Sequence, residues 1–416
     1  MKRLDVLKSL ALLPFAGRAL PFESLVATPV HKRRKSLLNQ PDMPALHREA
    51  FVMDGHIHVI NRQLLEGLDI GQRLSDGTVD LPRAIEGGLD AMFFSIYSEE
   101  DYYPGRHEVK NTFRLMEVAL DQIEKNNDLI ELALTASDIE SINRRGKMAA
   151  FLDLEGAYDL DADIHLLRVL YRLGLRSIQL TAHNRTNAFI DASSDEHKWG
   201  GINELGKTII AEMNRLGMVI NVAHASDEGI YQAVEASDHP VIYSHGGFRG
   251  IVDLPRLISD ENAEALAAKG GVIGIHFGNM FNNPDFTEWV SENPLPPTPG
   301  APNMNTDPSL TIEEVDRQVA KGLPFTFRER IPDEYWMGVD QLAKTIDYGV
   351  RLVGEDHIAL GADFDGGAEL PREIRDISDY PQITLAMQRL GYSDERIKKI
   401  LGLNWLRVIR EVTEGG

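Results

Sequence analysis

From Phe51 onward the chain repeats one unit: a short apolar run closed by glycine or polar residues and mostly followed by a segment of helical period. The eight runs are Phe51–Val59, Leu89–Tyr97, Met148–Gly156, Leu175–His183, Met218–Ala225, Pro240–Gly247, Gly271–Phe277 and His357–Gly366. Helix-period segments lie between them, among them Val109–Asn127, Ile164–Leu173, Asn203–Leu216, Glu228–Ser237, Glu261–Lys269 and Met337–Val353. Strands that alternate with helices pair in parallel through crossover helices. Eight such units define an α/β fold, a (β/α)8 TIM barrel with one core over residues 51–416. A length of 416 residues would also allow two or three domains. The strand pattern selects one.

One long interruption, Asn279–Trp336, follows the seventh run. Its segment Pro294-Leu295-Pro296-Pro297-Thr298-Pro299-Gly300 can continue neither a helix nor a central strand. We expect an irregular insertion that overhangs the barrel mouth.

The N-terminus carries Lys2 and Arg3, then an apolar stretch from Ser9 to Ala19 with small residues at its end. That pattern reads as an export signal over residues 1–27, which implies a periplasmic or exported protein. The other reading is an amphipathic helix on a cytoplasmic chain. The apolar stretch is too short to span a bilayer, so no transmembrane span is expected in the mature chain. Residues 28–50, with the basic run His31-Lys32-Arg33-Arg34-Lys35, read as a solvated surface segment. The 64 acidic and 43 basic residues give a net charge of −21, which argues against nucleic acid as a partner.

The chain has no cysteine, which excludes disulfides, thiolate metal sites and cysteine nucleophiles. Any metal must be held by imidazole and oxygen. Barrel enzymes carry their chemistry at the carboxyl ends of the strands, and six of the 13 histidines fall there: His56, His58, His183, His224, His245 and His276. Residues two apart on a strand share a face, so His56 and His58 can reach one ion. His224 and His245 end adjacent strands about 4.8 Å apart, a spacing that suits shared coordination at about 2.0–2.1 Å from zinc. Glu155 closes the third run, where a buried carboxylate needs a cation to offset its lost hydration. Its two oxygens can bridge two ions. Asp363 closes the eighth run at the position of a general base for metal-assisted hydrolysis. Asp153 suits a supporting role, and Asp365 the turn before Gly366.

These residues resemble the amidohydrolase superfamily and, more closely, the membrane (renal) dipeptidase family. The likeness covers roughly Phe51 to Val408. It rests on Asp54-Gly55-His56, Leu154-Glu155-Gly156, Leu180-Thr181-Ala182-His183-Asn184, Ala223-His224-Ala225-Ser226, Ser244-His245, Pro255-Arg256-Leu257-Ile258-Ser259-Asp260-Glu261, Asp363-Phe364-Asp365-Gly366 and Gly402-Leu403-Asn404-Trp405-Leu406-Arg407-Val408.

The resemblance implies a binuclear site with two Zn2+ ions. His56 and His58 would hold the first, Glu155 would bridge, and His224 with His245 would hold the second. It further implies that Asp363 takes a proton from a bridging hydroxide and gives it to the leaving amine. His183 would polarise the scissile carbonyl, and Arg256 would bind the substrate's terminal carboxylate. A small peptide substrate and a homodimer are implied in the same way. The chain departs from the family at His58, where Asp is usual, and at His276-Phe277-Gly278, where an Asn-Phe-Tyr-like run is common.

Three functions are therefore in play. The first is a zinc-dependent dipeptidase acting on peptides with a free C-terminal carboxylate. The second is an amidohydrolase acting on another amide, a lactam, a lactone or an ester, motivated by His58 and the altered seventh strand. The third is a catalytically retired binding protein on the same scaffold.

Overall fold

The apolar runs become strands because each is rich in β-branched and aromatic residues and bounded by glycine or polar breakers. The computed structural model describes residues 43–59, 65–98, 107–160, 163–182, 185–293, 310–319 and 331–415. The strands are β1 (Met53–Ile57), β2 (Ala91–Tyr97), β3 (Ile130–Leu132), β4 (Met148–Glu155), β5 (Ser177–Gln179), β6 (Val219–Asn221), β7 (Val241–Gly246), β8 (Val272–Ile275) and β9 (Ile358–Leu360). All pairings are parallel, in the order β1-β2-β4-β5-β6-β7-β8-β9. The ring closes where Ile57 bridges Phe364: His58 N–H donates to Phe364 O and Asp363 N–H to His56 O, both at 3.0 Å. The fold is the (β/α)8 barrel, and each expected run supplies one of its strands.

β3 is an addition that the sequence reading missed. It pairs with Met148–Ala150 of β4, while β5 pairs with Asp153 and Leu154 further along. Glu131 interrupts the apolar residues of β3, so no continuous apolar run marks it.

Strand alternation sorts the core into two layers. Met53, Phe93, Phe151, Val219, Ile242 and Val272 fill the barrel with Trp405, whose helix Asn404–Glu414 closes the lower end. Met92, Phe94, Leu152, Leu154 and Ile178 face outward onto the helices. The barrel helices start at side-chain caps, for example Asp163, Asn203, Ser226 and Ser259, each accepting a hydrogen bond from the first turn.

Two parts of the sequence reading need correction. The N-terminal surface segment is part of the body from Met43 onward, because Leu46 and His47 of helix Ala45–Glu49 are buried. The insertion is not irregular where it is described. It forms helices Asn279–Asn282, Pro284–Glu292 and Ile312–Val319. Phe286, Ile331 and Trp336 make a small core of their own. The third helix docks on helix Glu108–Lys125 through Arg114, whose guanidinium donates to both Asp316 oxygens at 3.2 and 2.6 Å. The proline run and the export-signal segment lie outside the described residues. No described helix is long and apolar enough to cross a membrane.

Candidate metal centre

Inward-facing positions change from apolar to polar near the strand ends. On β4 the series runs Phe151, Asp153, Glu155, and on β2 Phe93, Ser95, Tyr97. The site therefore rests on a hydrophobic floor.

Two strands deliver histidines by breaking register. The β1–β2 pairing shifts between Asp54 and Ile57, and the β7–β8 pairing between Tyr243 and Gly246. Such bulges re-aim side chains, and His56 and His245 lie within them. Gly55 permits the first one, since a Cβ there would lie 2.4 Å from the Trp405 ring.

Four imidazoles converge on Glu155 in two pairs. His56 Nε2 and His58 Nε2 are 3.1 Å apart and lie 3.2 and 3.1 Å from Glu155 Oε2. His224 Nε2 and His245 Nε2 are 3.0 Å apart and lie 3.4 and 3.9 Å from Glu155 Oε1. Asp363 Oδ1 joins the first pair, 3.2 Å from His58 Nε2 and 3.7 Å from His56 Nε2. That oxygen is buried and makes no hydrogen bond of normal geometry. Ser95 Oγ donates to Glu155 Oε2 at 3.2 Å, and Gln179 Nε2 to Oε1 at 3.4 Å. Ser244 Oγ lies 2.9 Å from His245 Nδ1 and fixes the ring with Nε2 inward.

Carboxylates and imidazoles shift one another across the cluster. Burial works against a proton on His58, yet the Glu155 and Asp363 carboxylates outweigh it and raise the imidazole to about 10. Burial likewise opposes charge on Glu155, and the neighbouring His56 and His58 hold its carboxyl well below the usual range. Asp363 is held low against burial by its contacts with His276 and His58. Burial, with His56 alongside, keeps His245 well below the ordinary histidine value. Imidazole nitrogens and carboxylate oxygens clustered in this way fit divalent transition-metal ions.

Backbone strain concentrates at the same place. The non-glycine residues with positive φ among the described residues are His224 at 67°, Asp363 at 62° and Asp365 at 58°. Two of them belong to the cluster, as strained positions at functional sites do. Asp365 shapes its turn as expected and also accepts from Thr78 N and Oγ1 at 2.6 and 2.8 Å. Beyond it, a Cβ at Gly366 would lie 1.9 Å from Asp363 Oδ1 and 2.6 Å from His58 Cδ2.

Supporting residues complete the surroundings. Asp54 is not part of the cluster: it accepts from His56 N, Ala362 N and Tyr380 Oη and ties β1 to the exit of β9. Asp153 lies 3.9 Å from His56 Nδ1, and burial, opposed by that histidine, raises it to about 7. His276 Nε2 is 2.9 Å from Asp363 Oδ2. Arg256 reaches the edge of the site, donating to His245 O at 3.1 Å and Tyr243 Oη at 2.6 Å, with its guanidinium 5.5 Å from the Phe281 ring centre. His183 lies outside the described residues. Ser95 and Gln179 escaped the sequence reading, although Ser95 shares the parity of Phe93 and Tyr97. Phe281 sits in the insertion, where no strand pattern guides the eye.

The comparisons with known proteins agree with this geometry. The family model for membrane dipeptidase, peptidase family M19, matches residues 41–415. The dipeptidase tcpJ of Claviceps purpurea is 30% identical over 347 residues, which cover 81% of this chain and 70% of that one. The fold is shared with the probable dipeptidase PvdM of Pseudomonas aeruginosa, at a TM-score of 0.74 and 24% identity over 93% of this chain and 99% of that one. It is shared too with a metallo peptidase of Rhodobacter sphaeroides solved with a phosphinate mimic of L-Ala-D-Ala, at 0.68 and 22% over 86% and 98%. With a matched family model over nearly its whole described length and a histidine–carboxylate cluster at the barrel mouth, the chain belongs to the membrane dipeptidase family, peptidase family M19, and is a metallo-dipeptidase.

Proposed function

We propose that the protein hydrolyses the peptide bond of dipeptides with a free C-terminal carboxylate, using two zinc ions. The observation that carries this reading is Glu155, each of whose oxygens faces its own pair of histidine nitrogens. His56, His58 and Asp363 would hold one ion, His224 and His245 the other, with Glu155 between them. When bound, the ions supply the positive charge that lowers the pKa of a water toward about 7 and offsets charge on the carbonyl oxygen.

The chain's own groups do the rest. Asp363 Oδ1 receives the proton of the attacking water and returns it to the departing amine. Arg256 presents a guanidinium whose planar fork matches a carboxylate, and two of its donors are already fixed by Tyr243 and His245. His183 polarises the scissile carbonyl.

The test combines metal analysis with turnover. Purified protein should contain about two zinc ions, cleave dipeptides, lose activity with chelator and regain it with zinc. C-terminally amidated dipeptides should react far more slowly than free ones. Turnover that survives complete metal removal would overturn the mechanism. Equal rates on free and amidated dipeptides would remove Arg256 from it and favour the broader amidohydrolase reading.

A further inference from the structure

His276 stands directly after β8, and its backbone is pinned at both ends: its N–H donates to Gly246 O at 2.7 Å, and its carbonyl accepts from Asn282 Nδ2 at 2.7 Å. The ring is buried and packs edge-on against Phe281 at 4.5 Å. Gly278 N–H points at His276 Nδ1 from 2.7 Å. A backbone N–H can only donate, so Nδ1 carries no proton and the neutral ring holds its proton on Nε2. That nitrogen lies 2.9 Å from Asp363 Oδ2. The other oxygen, Oδ1, faces His58 and His56. Gly278 makes the turn possible, since a Cβ there would lie 2.6 Å from His276 Cε1.

We infer that His276 is a positioning residue for Asp363: an imidazole locked by Gly278 in its Nε2–H form, pinning Oδ2 so that Oδ1 alone serves the metal and the migrating proton. The division of labour follows from hydrogen-bond direction. A donor on Oδ2 stops the carboxylate from rotating and stops both oxygens from engaging the cation. Partners of this kind orient a ligand and tune it without touching the metal.

The kinetic arm of the test rests on the proposed dipeptide hydrolysis; the other two arms do not. Nitrogen NMR of protein labelled at histidine, with the His276 signals assigned by their loss in His276→Gln, should show Nδ1 unprotonated and Nε2 protonated. Competition titration with a zinc-binding indicator should show His276→Phe weakening zinc affinity by about 10-fold or more, with His276→Gln, which returns one N–H, recovering part of the loss. In dipeptide turnover His276→Phe should lower kcat by about 10- to 100-fold while KM changes little, and Gly278→Ala should fall between wild type and His276→Phe. An Nδ1–H form in the wild-type protein would overturn the inference. So would folded His276→Phe, verified by circular dichroism, with wild-type zinc affinity. If the wild-type protein cleaves no dipeptide, the proposed function fails, and the NMR and zinc arms still decide the role of His276.

Discussion

Asp54 and Tyr380, 326 positions apart, meet at 2.8 Å inside the barrel wall, where the phenol donates to a carboxylate that also accepts from His56 N and Ala362 N. The carboxylate is fully buried, and burial, partly offset by these donors, raises it to about 7. Tyr380→Phe keeps the ring and removes one of the donors. The expected loss is about 1–3 kcal/mol of stability, read as a lower urea midpoint with an unchanged slope.

Glu155→Gln preserves shape and removes the charge on which both histidine pairs converge. Bound zinc should drop below the wild-type stoichiometry and turnover should fall by at least about 100-fold. Metal analysis on the same sample as the kinetics checks both. Full zinc occupancy with unchanged turnover would contradict the shared-carboxylate arrangement.

Gly366→Ala presses a methyl group onto the site. Gly366 itself is exposed, but Asp363 must shift to admit the Cβ, so stability should fall by about 1–3 kcal/mol. Its new Cβ would meet Asp363 Oδ1 and His58, so zinc affinity should fall by about 10-fold or more. Calorimetric unfolding beside a zinc titration makes the comparison.

His47 predicts a pH effect remote from the metal. Its Nε2 donates to Gly87 O at 2.8 Å and its Nδ1 lies 2.7 Å from Thr384 Oγ1, a fit for the neutral ring. Burial lowers its pKa to about 4, with the Gly87 contact opposing. Above the unfolded value of about 6.5 neither state takes the proton, and the histidine imposes no penalty. As pH falls from 6.5 toward 4 the unfolded chain binds the proton and the folded one resists it, so stability declines, by roughly 3 kcal/mol once pH is below 4. The difference in unfolding free energy between wild type and His47→Gln should therefore shrink from pH 7.5 to pH 5. A constant difference would rule the effect out.

The barrel was legible because its strands are short, buried and separated by helices, and the cluster because strand ends are where a barrel gathers its reactive groups. His56, His58, Glu155, His224, His245 and Asp363 stand where strand counting put them, and the structure brings them together. What the sequence hides is set by distant partners. The two bulges exist only against neighbouring strands. Asp54 stood out as part of a motif, but its bond to Tyr380 has no local signature. His276 was visible as a strand-end histidine, yet its orientation depends on a glycine two residues on and an aspartate 87 residues away. The insertion's helices fell in a region dominated by its prolines.

The ring closes between its first and last strands, and the cluster straddles that join, with His56 and His58 on one side and Asp363 on the other. During synthesis, nothing made before residue 363 can complete the pocket. A fragment that ends before the last strand would keep both histidine pairs and Glu155 but lack Asp363. The cluster is thus complete only when the first and last strands of the barrel have met.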